Sequence, residues 1–198
     1  KKLEEHELDD LILNIKNKKI DGINITVPFK KKIIPYLDKL SDEASNTQSV
    51  NTVYLDKGKI IGHNTDIIGF EIGLKKTNYN IKDKKILILG AGGVVSSIIY
   101  AVKKMKASEI IVSNRTQSKA ENLKKIFSDL KITKWGEVPD FDVVINATGI
   151  GLNVKDIIDL DFSKIGKNKL FFDVIYNPKE TNFLKMGKKL GNITENGL

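Results

Sequence analysis

The sequence contains no cysteine and only two histidines, His6 and His63. The lack of cysteine excludes a disulfide framework and a cysteine-ligated metal, and two histidines are too few for a histidine-rich metal centre. No apolar run approaches the roughly 18 residues of a membrane-spanning helix, and no signal-peptide pattern is present. We therefore expect a soluble cytoplasmic protein with no metal site and no membrane association.

Acidic residues are fewer than basic ones: the chain has 25 Asp and Glu and 33 Lys and Arg, which gives a net charge of +8 at pH 7. A basic excess is typical of nucleic-acid-binding proteins. Here, however, the lysines are spread along the chain, acidic residues lie among them, and no basic block is interleaved with aromatic residues. We therefore expect no nucleic-acid partner, although the positive charge would favour small anionic ligands.

The first 80 residues mix helical and strand-like patterns, as judged from the spacing of their apolar residues. Pro35 falls inside one helical pattern, so that helix should be short or broken. The predicted elements are a helix over 3–17, a strand over 21–27, a helix over 30–40, a hairpin formed by 50–55 and 60–64, and a helix over 66–76.

The polar stretch 78–85 marks the predicted domain boundary, and the pattern changes after it. Nearly continuous runs of Ile, Leu and Val now alternate with helices, which indicates a parallel sheet covered on both faces. The predicted elements are a strand ending before Gly90, helices over 94–106 and 118–130, and strands over 109–114, 142–149 and 170–176. We expect an α/β fold with one domain over 1–80 and a second over 81–198.

A glycine-rich segment, ILILGAGGVV, places Gly90 and Gly92 directly after a predicted strand and before a predicted helix. This arrangement begins the dinucleotide-binding fingerprint, in which the first glycine permits a tight turn and the second lets the backbone approach a pyrophosphate. The third fingerprint position is Val95, which departs from the usual Gly or Ala. The order of strand, glycines, helix and second strand supports the assignment.

The end of the second strand of this domain indicates NADP as the cofactor. NAD sites usually carry Asp or Glu there, to bind the ribose 2′-hydroxyl, but this strand ends in Ser-Asn-Arg-Thr. Arg115 can form a forked contact with a 2′-phosphate, Asn114 and Thr116 can donate hydrogen bonds, and Lys119 can add charge. A polar surface loop is the alternative interpretation.

A further strand ends in NATGIG, at what should be the same edge of the sheet. Asn146, Thr148 and Gly149 could line the ribose and nicotinamide side of the cofactor. A simple glycine-rich turn would have the same sequence.

Lys30 and Asp66 each lie just past a strand end in the first domain. A dehydrogenase that acts on an alcohol must move a proton, and a lysine beside a carboxylate can do so because the carboxylate orients and tunes the amine. The residues alone leave other interpretations open. Lys30 could be a solvated start to a helix, and Asp66 could be a helix N-cap.

The sequence resembles the shikimate dehydrogenase family, whose motifs occur in the same order across nearly the whole chain. The matching segments are NITVPFK (24–30), VNTV (50–53), GHNTDIIGF (62–70), GAGGV (90–94), NRT (114–116), NATGIG (146–151), DVIYNPKET (173–181) and NGL (196–198).

The resemblance implies specific roles. Lys30 and Asp66 would be the catalytic pair, with Lys30 serving proton transfer at the C3 oxygen of the substrate. The implied shikimate-binding residues are Thr26, Asn51 and Tyr176. The implied NADP-binding residues are Gly90, Ala91, Gly92, Gly93, Val94, Asn114, Arg115, Thr116, Lys119, Asn146, Thr148, Val174 and Gly197.

The chain departs from the family pattern at both ends and at one internal position. The strand-helix-strand segment with a Ser-x-Ser-Pro motif is missing, as is the C-terminal helix with a substrate-contacting Gln. The first turn of the helix after the glycines, Val95-Ser96-Ser97, lacks the basic residue often found there. We therefore expect an incomplete copy of a normal enzyme, whose substrate domain lacks its usual beginning.

The function that follows is NADP-dependent interconversion of 3-dehydroshikimate and shikimate in aromatic amino-acid biosynthesis, by a monomer or homodimer with two α/β domains flanking a cleft. Three alternatives stay open. One is a quinate/shikimate dehydrogenase of broader specificity. Another is an enzyme that shares only the Rossmann half, such as a methylene-tetrahydrofolate dehydrogenase or a glutamyl-tRNA reductase. The last is a non-catalytic cofactor-binding module, which would bind nucleic acid in a salt-sensitive way.

Overall fold

The computed structural model describes residues 4–198. These residues contain seven α-helices and ten strands. The helices are α1 (Leu8–Lys16), α2 (Phe29–Lys32), α3 (Asp42–Thr47), α4 (Asp66–Lys76), α5 (Val95–Lys104), α6 (Gln117–Lys124) and α7 (Asn182–Lys189). The strands are β1 (Gly22–Asn24), β2 (Lys39–Leu40), β3 (Thr52–Asp56), β4 (Lys59–His63), β5 (Lys85–Leu89), β6 (Glu109–Ser113), β7 (Lys131–Thr133), β8 (Val143–Asn146), β9 (Leu170–Asp173) and β10 (Ile193–Glu195).

Contacts between residues divide the chain into a first unit that ends at Ile67 and a second unit, Ile68–Leu198. This division falls inside helix α4, earlier than the domain boundary predicted near residue 80, which stays a prediction. Within residues 4–198, none of the helices combines the length and the apolar character that crossing a membrane requires.

The sheet of the first unit has four strands in the order β1-β3-β4-β2. Strands β3 and β4 form the predicted antiparallel hairpin, and both turn residues, Lys57 and Gly58, have positive φ. Two positive φ angles are the signature of a type I′ turn, whose twist matches that of the paired strands. One face of helix α1, with Leu8, Ile12 and Ile15 buried, packs into the core of this unit.

The segment before Lys30 differs from the prediction of a strand over 21–27. The strand ends at Asn24, although the N–H of Ile25 still donates to the carbonyl oxygen of Asn51 at 2.8 Å. The N–H of Phe29 then bonds the carbonyl oxygen of Thr26 at 2.8 Å and closes a turn, which leaves Val27 71% exposed. The broken helix predicted around Pro35 is confirmed as α2 followed by a 3₁₀ turn, Ile34–Tyr36.

The sheet of the second unit has six parallel strands in the order β10-β9-β8-β5-β6-β7. The residues of β8 and β9 are all buried, as are all but the first residue of β5 and of β6. Burial on both faces explains why these strands read as continuous apolar runs. This strand order is that of the doubly wound dinucleotide-binding fold, so the predicted α/β class with a Rossmann-type domain is confirmed.

Four of the eight phenylalanines of the sequence form a cluster in the core of the second unit. Phe141, Phe162, Phe171 and Phe183 contact one another with ring centroids 5.1 to 6.3 Å apart. Most of these pairs are edge-to-face, the geometry that aromatic quadrupoles prefer. The cluster joins strand β9, helix α7 and the segments before β8 and β9 into one core.

Five elements, β2, α3, β7, α7 and β10, have no counterpart among the sequence predictions. Three of them are strands of two or three residues, too short to show an alternation. Helix α7 does carry a start signal, because the hydroxyl oxygen of Thr181 accepts a hydrogen bond from the N–H of Leu184, as an N-cap does.

Two glycines on helices provide a matched test of this packing. A Cβ on Gly187 would lie 2.6 Å from Cγ of Phe171, whereas a Cβ on Gly69 of α4 would meet no described atom within 4 Å. We expect Gly187→Ala to lower the free energy of unfolding by about 1–3 kcal/mol through overpacking. Gly69→Ala should raise it by up to about 1 kcal/mol through helix propensity. Urea unfolding measures both, and an unchanged Gly187→Ala protein would contradict the contact between α7 and β9.

Candidate active site and cofactor cavity

Lys30 and Asp66, far apart in sequence, form an ion pair in the first unit. Lys30 stands in the single turn of α2, and Asp66 is the first residue of α4. Nζ of Lys30 donates to Oδ2 of Asp66 at 2.6 Å, and the two side chains are only 15% and 21% exposed. Because water is largely excluded, this pair is screened less than a surface ion pair. Lys30 is therefore not a solvated start to a helix.

Asn51 holds the other side of the Asp66 carboxylate. Its Nδ2 donates to Oδ1 of Asp66 at 2.7 Å and to Oγ1 of Thr65 at 2.9 Å, and its Oδ1 accepts from the N–H of Thr65 at 2.9 Å. Each carboxylate oxygen of Asp66 thus has its own donor. Among the described residues, Lys30 donates only to Asp66, so the rest of its three-donor ammonium is available to a bound oxygen.

Asn64 fixes the backbone at the start of helix α4. This fully buried side chain accepts from the N–H of Asp66 at 3.1 Å and donates to Oγ1 of Thr47 at 3.0 Å. The Thr47 hydroxyl in turn donates to the carbonyl oxygen of Glu43 at 2.6 Å. The N-cap interpretation of Asp66 is therefore not the arrangement seen, because Asp66 is the first helical residue and its side chain serves Lys30 and Asn51.

The other two predicted substrate residues are exposed. Thr26 is exposed and borders a recess of about 530 Å³ that is also lined by Leu8, Leu11 and Phe29. Tyr176 belongs to the second unit, where its side chain is 60% exposed. Of the two substrate-binding residues predicted in the first unit, Asn51 contacts the Lys30–Asp66 pair and Thr26 borders the recess.

A cavity of about 620 Å³ opens at the carboxyl ends of strands β5, β6 and β8 in the second unit. The strand that follows β5, β6, lies on one side of the β5–β8 pair, and the strand that follows β8, β9, lies on the other. Ligands of open α/β sheets bind at such a switch point in strand order. Lining residues that were predicted from the sequence are Gly90, Ala91, Gly92, Asn114, Arg115, Lys119, Thr148 and Gly149.

The two fingerprint glycines fit a dinucleotide in different ways. Gly90 has φ +111°, and a Cβ there would lie 2.7 Å from the carbonyl oxygen of Ala147. A Cβ on Gly92 would meet no described atom within 4 Å, so the space beside this backbone is free for a pyrophosphate. Val95, which departs from the fingerprint, is fully buried as the first residue of α5 and serves packing.

Positive charge lines the same cavity. Arg115 and Lys119 are both exposed there, and within residues 4–198 neither forms an ion pair with an acidic side chain. Asn114 donates its Nδ2 to the carbonyl oxygen of Thr116 at 2.8 Å and so shapes the loop that carries Arg115. Two free cations beside a glycine turn suit a phosphorylated dinucleotide.

Two family models match this chain, one in the first unit and one in the second. Residues 1–53 match the model of the shikimate dehydrogenase substrate binding domain, and residues 71–182 match that of shikimate / quinate 5-dehydrogenase. A shikimate dehydrogenase (NADP(+)) from Pelagibacter ubique is 60% identical over 195 residues, which cover 98% of this chain and 74% of that protein. The chain belongs to the shikimate dehydrogenase family.

Solved structures of the family have the same fold. The crystal structure of shikimate dehydrogenase from Aquifex aeolicus is 39% identical, with a TM-score of 0.89, and the match covers 99% of this chain and 73% of that one. The Thermus thermophilus enzyme, solved in complex with NADP(H) and shikimate, is 29% identical with a TM-score of 0.86, over 97% of this chain and 72% of that one. The chain thus spans about three quarters of the length of these relatives.

Some cofactor residues that the family resemblance implied are absent from the lining of the cavity. They are Gly93, Val94, Thr116, Asn146, Val174 and Gly197. Gly197 and Val174 are close neighbours, because a Cβ on Gly197 would lie 2.2 Å from the carbonyl oxygen of Val174. Only glycine fits at this position, for a reason of backbone packing.

Asn146 is fully buried and holds the cavity loop instead of facing the cavity. Its Oδ1 accepts from the N–H and the hydroxyl of Thr148 at 3.1 and 2.7 Å, and its Nδ2 donates to the carbonyl oxygen of Ile150 and to Oδ1 of Asp173, both at 3.0 Å. All of its hydrogen-bonding capacity is used within the protein, so it positions Thr148, which does line the cavity.

Sequence reasoning missed Trp135, Ala147, Ile150, Asp156 and Ile157, all of which line the cavity. Trp135 follows β7, a strand that was not predicted, and Asp156 lies in a loop with no recognisable motif. Hydrogen bonds from the N–H groups of Gly151 and Asn153, both 3.1 Å to Oδ2, lower the pKa of Asp156, so it stays a carboxylate that ties the loop together.

Asp173 is a buried acid in the network behind the cavity, and it gives a pH-dependent test. Burial raises the pKa of Asp173 above its ordinary value of 3.8, while bonds from the Thr181 hydroxyl, the Ile175 N–H and Asn146 oppose the shift. A group with a raised folded-state pKa binds protons more readily when folded, so its contribution to stability increases as pH falls through the folded pKa towards 3.8.

We therefore expect the stability of the wild type relative to Asp173→Asn to increase as the pH is lowered from neutral. The Asn side chain does not titrate, so the difference between the two unfolding free energies isolates this carboxyl group. Urea unfolding of both proteins over a pH series measures it. A difference that shrinks on acidification would mean that the folded pKa is lowered.

Proposed function

We propose that this chain interconverts 3-dehydroshikimate and shikimate as an NADP-dependent oxidoreductase, the reaction that serves chorismate and aromatic amino-acid biosynthesis. The family membership supports the reaction. The main support for the catalytic residues is the 2.6 Å hydrogen bond between Lys30 and Asp66, whose side chains are largely buried. A proton donor and a carboxylate that orients it are what the alcohol–ketone interconversion demands of the protein.

In this proposal the second unit holds NADP, which supplies hydride exchange when bound. Gly90 to Gly92 leave room for the pyrophosphate, and Arg115 and Lys119 bind the 2′-phosphate. The side chain of Thr148 lines the cavity and is held in place by Asn146. The domain assignment proposed is cofactor binding over 81–198 and substrate binding over 1–80.

The protein's own task in the reaction is to hold the substrate and to manage one proton. Lys30 donates to the C3 oxygen of the substrate and exchanges a proton with it as the oxygen changes between carbonyl and hydroxyl. Asp66 keeps the ammonium aimed at that oxygen and stabilises its charge, and Asn51 keeps Asp66 aimed at Lys30. Thr26 and Tyr176 contribute to holding the hydroxyl and carboxylate groups of shikimate.

A quinate/shikimate dehydrogenase of broader specificity is the second candidate. The family model that matches residues 71–182 covers both substrates, which supports it. The exposed cation of Arg115 in the cofactor cavity opposes a preference for NAD. Quinate offered beside shikimate as a substrate separates the two functions. A cytoplasmic location, the absence of a nucleic-acid partner, and a monomeric or homodimeric state stay predictions.

Replacing Lys30 tests the proposed proton transfer. We expect Lys30→Ala to lower kcat for shikimate-dependent reduction of NADP⁺ by about 100- to 10,000-fold, because general acid–base catalysis contributes a factor of that size. NADPH formation by the wild type and the variant is followed optically. Binding of NADPH, measured by calorimetry, should not change.

The matched control is Lys31→Ala, because Lys31 lies next in the same turn of α2 but is exposed. Its kcat should equal that of the wild type. Equal losses in both variants would show that α2 matters for structure or charge alone. No turnover of shikimate by the wild type, despite NADPH binding, would refute the substrate assignment and leave the cofactor assignment standing.

Arg115 tests the choice of cofactor. We expect Arg115→Ala to weaken NADP⁺ binding by about 10- to 150-fold, which is the loss of one charge-assisted hydrogen-bonding group, and to leave NAD⁺ binding unchanged. Dissociation constants for both dinucleotides measure the effect. Equal weakening of both would mean that Arg115 does not contact the 2′-phosphate.

A further inference from the structure

The single tryptophan of the sequence, Trp135, lies at the edge of the cofactor cavity. It follows β7, the strand next to β6, and the Ser113 hydroxyl at the end of β6 bonds the carbonyl oxygen of Lys134 at 3.3 Å. The segment carrying Trp135 is thus tied to the strand that leads into Arg115. Trp135 is partly buried, and it packs against the core of the second unit while also lining the cavity.

The chemistry of the expected ligand connects Trp135 with Arg115. In NADP the ribose that carries the 2′-phosphate also carries adenine, so a cavity that binds this phosphate through Arg115 must place a flat aromatic base close by. We propose that Trp135 is the platform on which the adenine ring stacks. The proposal rests on the proposed use of NADP and adds the residue that recognises the base.

Two features of the cavity support a flat apolar ligand group at this place. Core packing holds the indole, so little side-chain freedom is lost when a base stacks on it. Ile157, which lines the same cavity, is 72% exposed and offers a further apolar surface that a bound base can cover.

Adenosine 2′,5′-bisphosphate and adenosine 5′-monophosphate test the proposal without nicotinamide and without turnover. Because the chain has one tryptophan, its fluorescence reports Trp135 alone among the residues of this chain. We expect both nucleotides to quench it saturably in the wild-type protein. Trp135→Ala should weaken binding of both, measured by calorimetry, by a similar factor of about 5 to 150, the usual effect of removing one base-stacking side chain.

Two further variants sharpen the result. Trp135→Phe keeps an aromatic ring and should retain most of the affinity for both nucleotides. Arg115→Ala should weaken the bisphosphate alone, because the monophosphate has no 2′-phosphate. Thermal unfolding of each variant shows whether it folds. If Trp135→Ala does not fold, the fluorescence titration of the wild type still tests whether the nucleotides contact Trp135.

Two results would overturn the proposal. If the bisphosphate binds the wild type by calorimetry but leaves its fluorescence unchanged, or binds folded Trp135→Ala with wild-type affinity, Trp135 is not the adenine platform and the use of NADP stands. If neither the bisphosphate nor NADPH binds the wild type, the proposed NADP function fails as well.

Discussion

The ion pair between Lys30 and Asp66 is the interaction on which the first unit's site depends, since it joins residues that are 36 positions apart. The chain turns after Ile25 and leads directly into α2, which carries Lys30. The β3–β4 hairpin brings Asn51, before β3, next to the start of α4, after β4. Asn51 and Asn64 then fix the Asp66 side chain and backbone separately. Without the Asp66 carboxylate, the largely buried charge of Lys30 would be unpaired, which would lower the stability of the fold.

In the second unit the corresponding constraint is the parallel sheet, whose strands β5, β6 and β8 all end at the cavity. Residues at this edge divide into two groups. Gly92, Arg115, Lys119 and Trp135 are open to a ligand, whereas Asn146, Asp173 and Thr181 are buried and bonded to one another. The buried group holds the loop after β8, which places Thr148 and Ile150 in the cavity lining, and the loop after β9.

The sequence predicted the four inner strands of the second unit's sheet, because strands buried on both faces read as apolar runs, but it did not predict the edge strands β7 and β10. It also predicted Lys30 and Asp66, although their contact followed only from the family resemblance. It could not predict Trp135, since β7 has three residues and no visible alternation. It could not distinguish Asn146 from a ligand contact either, because an asparagine after a strand looks the same whether its amide faces a cavity or a buried acid.

In the proposed reaction Lys30 and Asp66 act as one catalytic unit, and a double-mutant cycle distinguishes this from two independent contributions. Turnover of shikimate with NADP⁺ would be measured for Lys30→Ala, Asp66→Ala and the double variant. The effects of residues that act as a unit are strongly non-additive, so we expect the double variant to lose about as much kcat as Lys30→Ala alone. A loss in the double variant equal to the product of the two single losses would show that the two residues act independently and are not one catalytic unit.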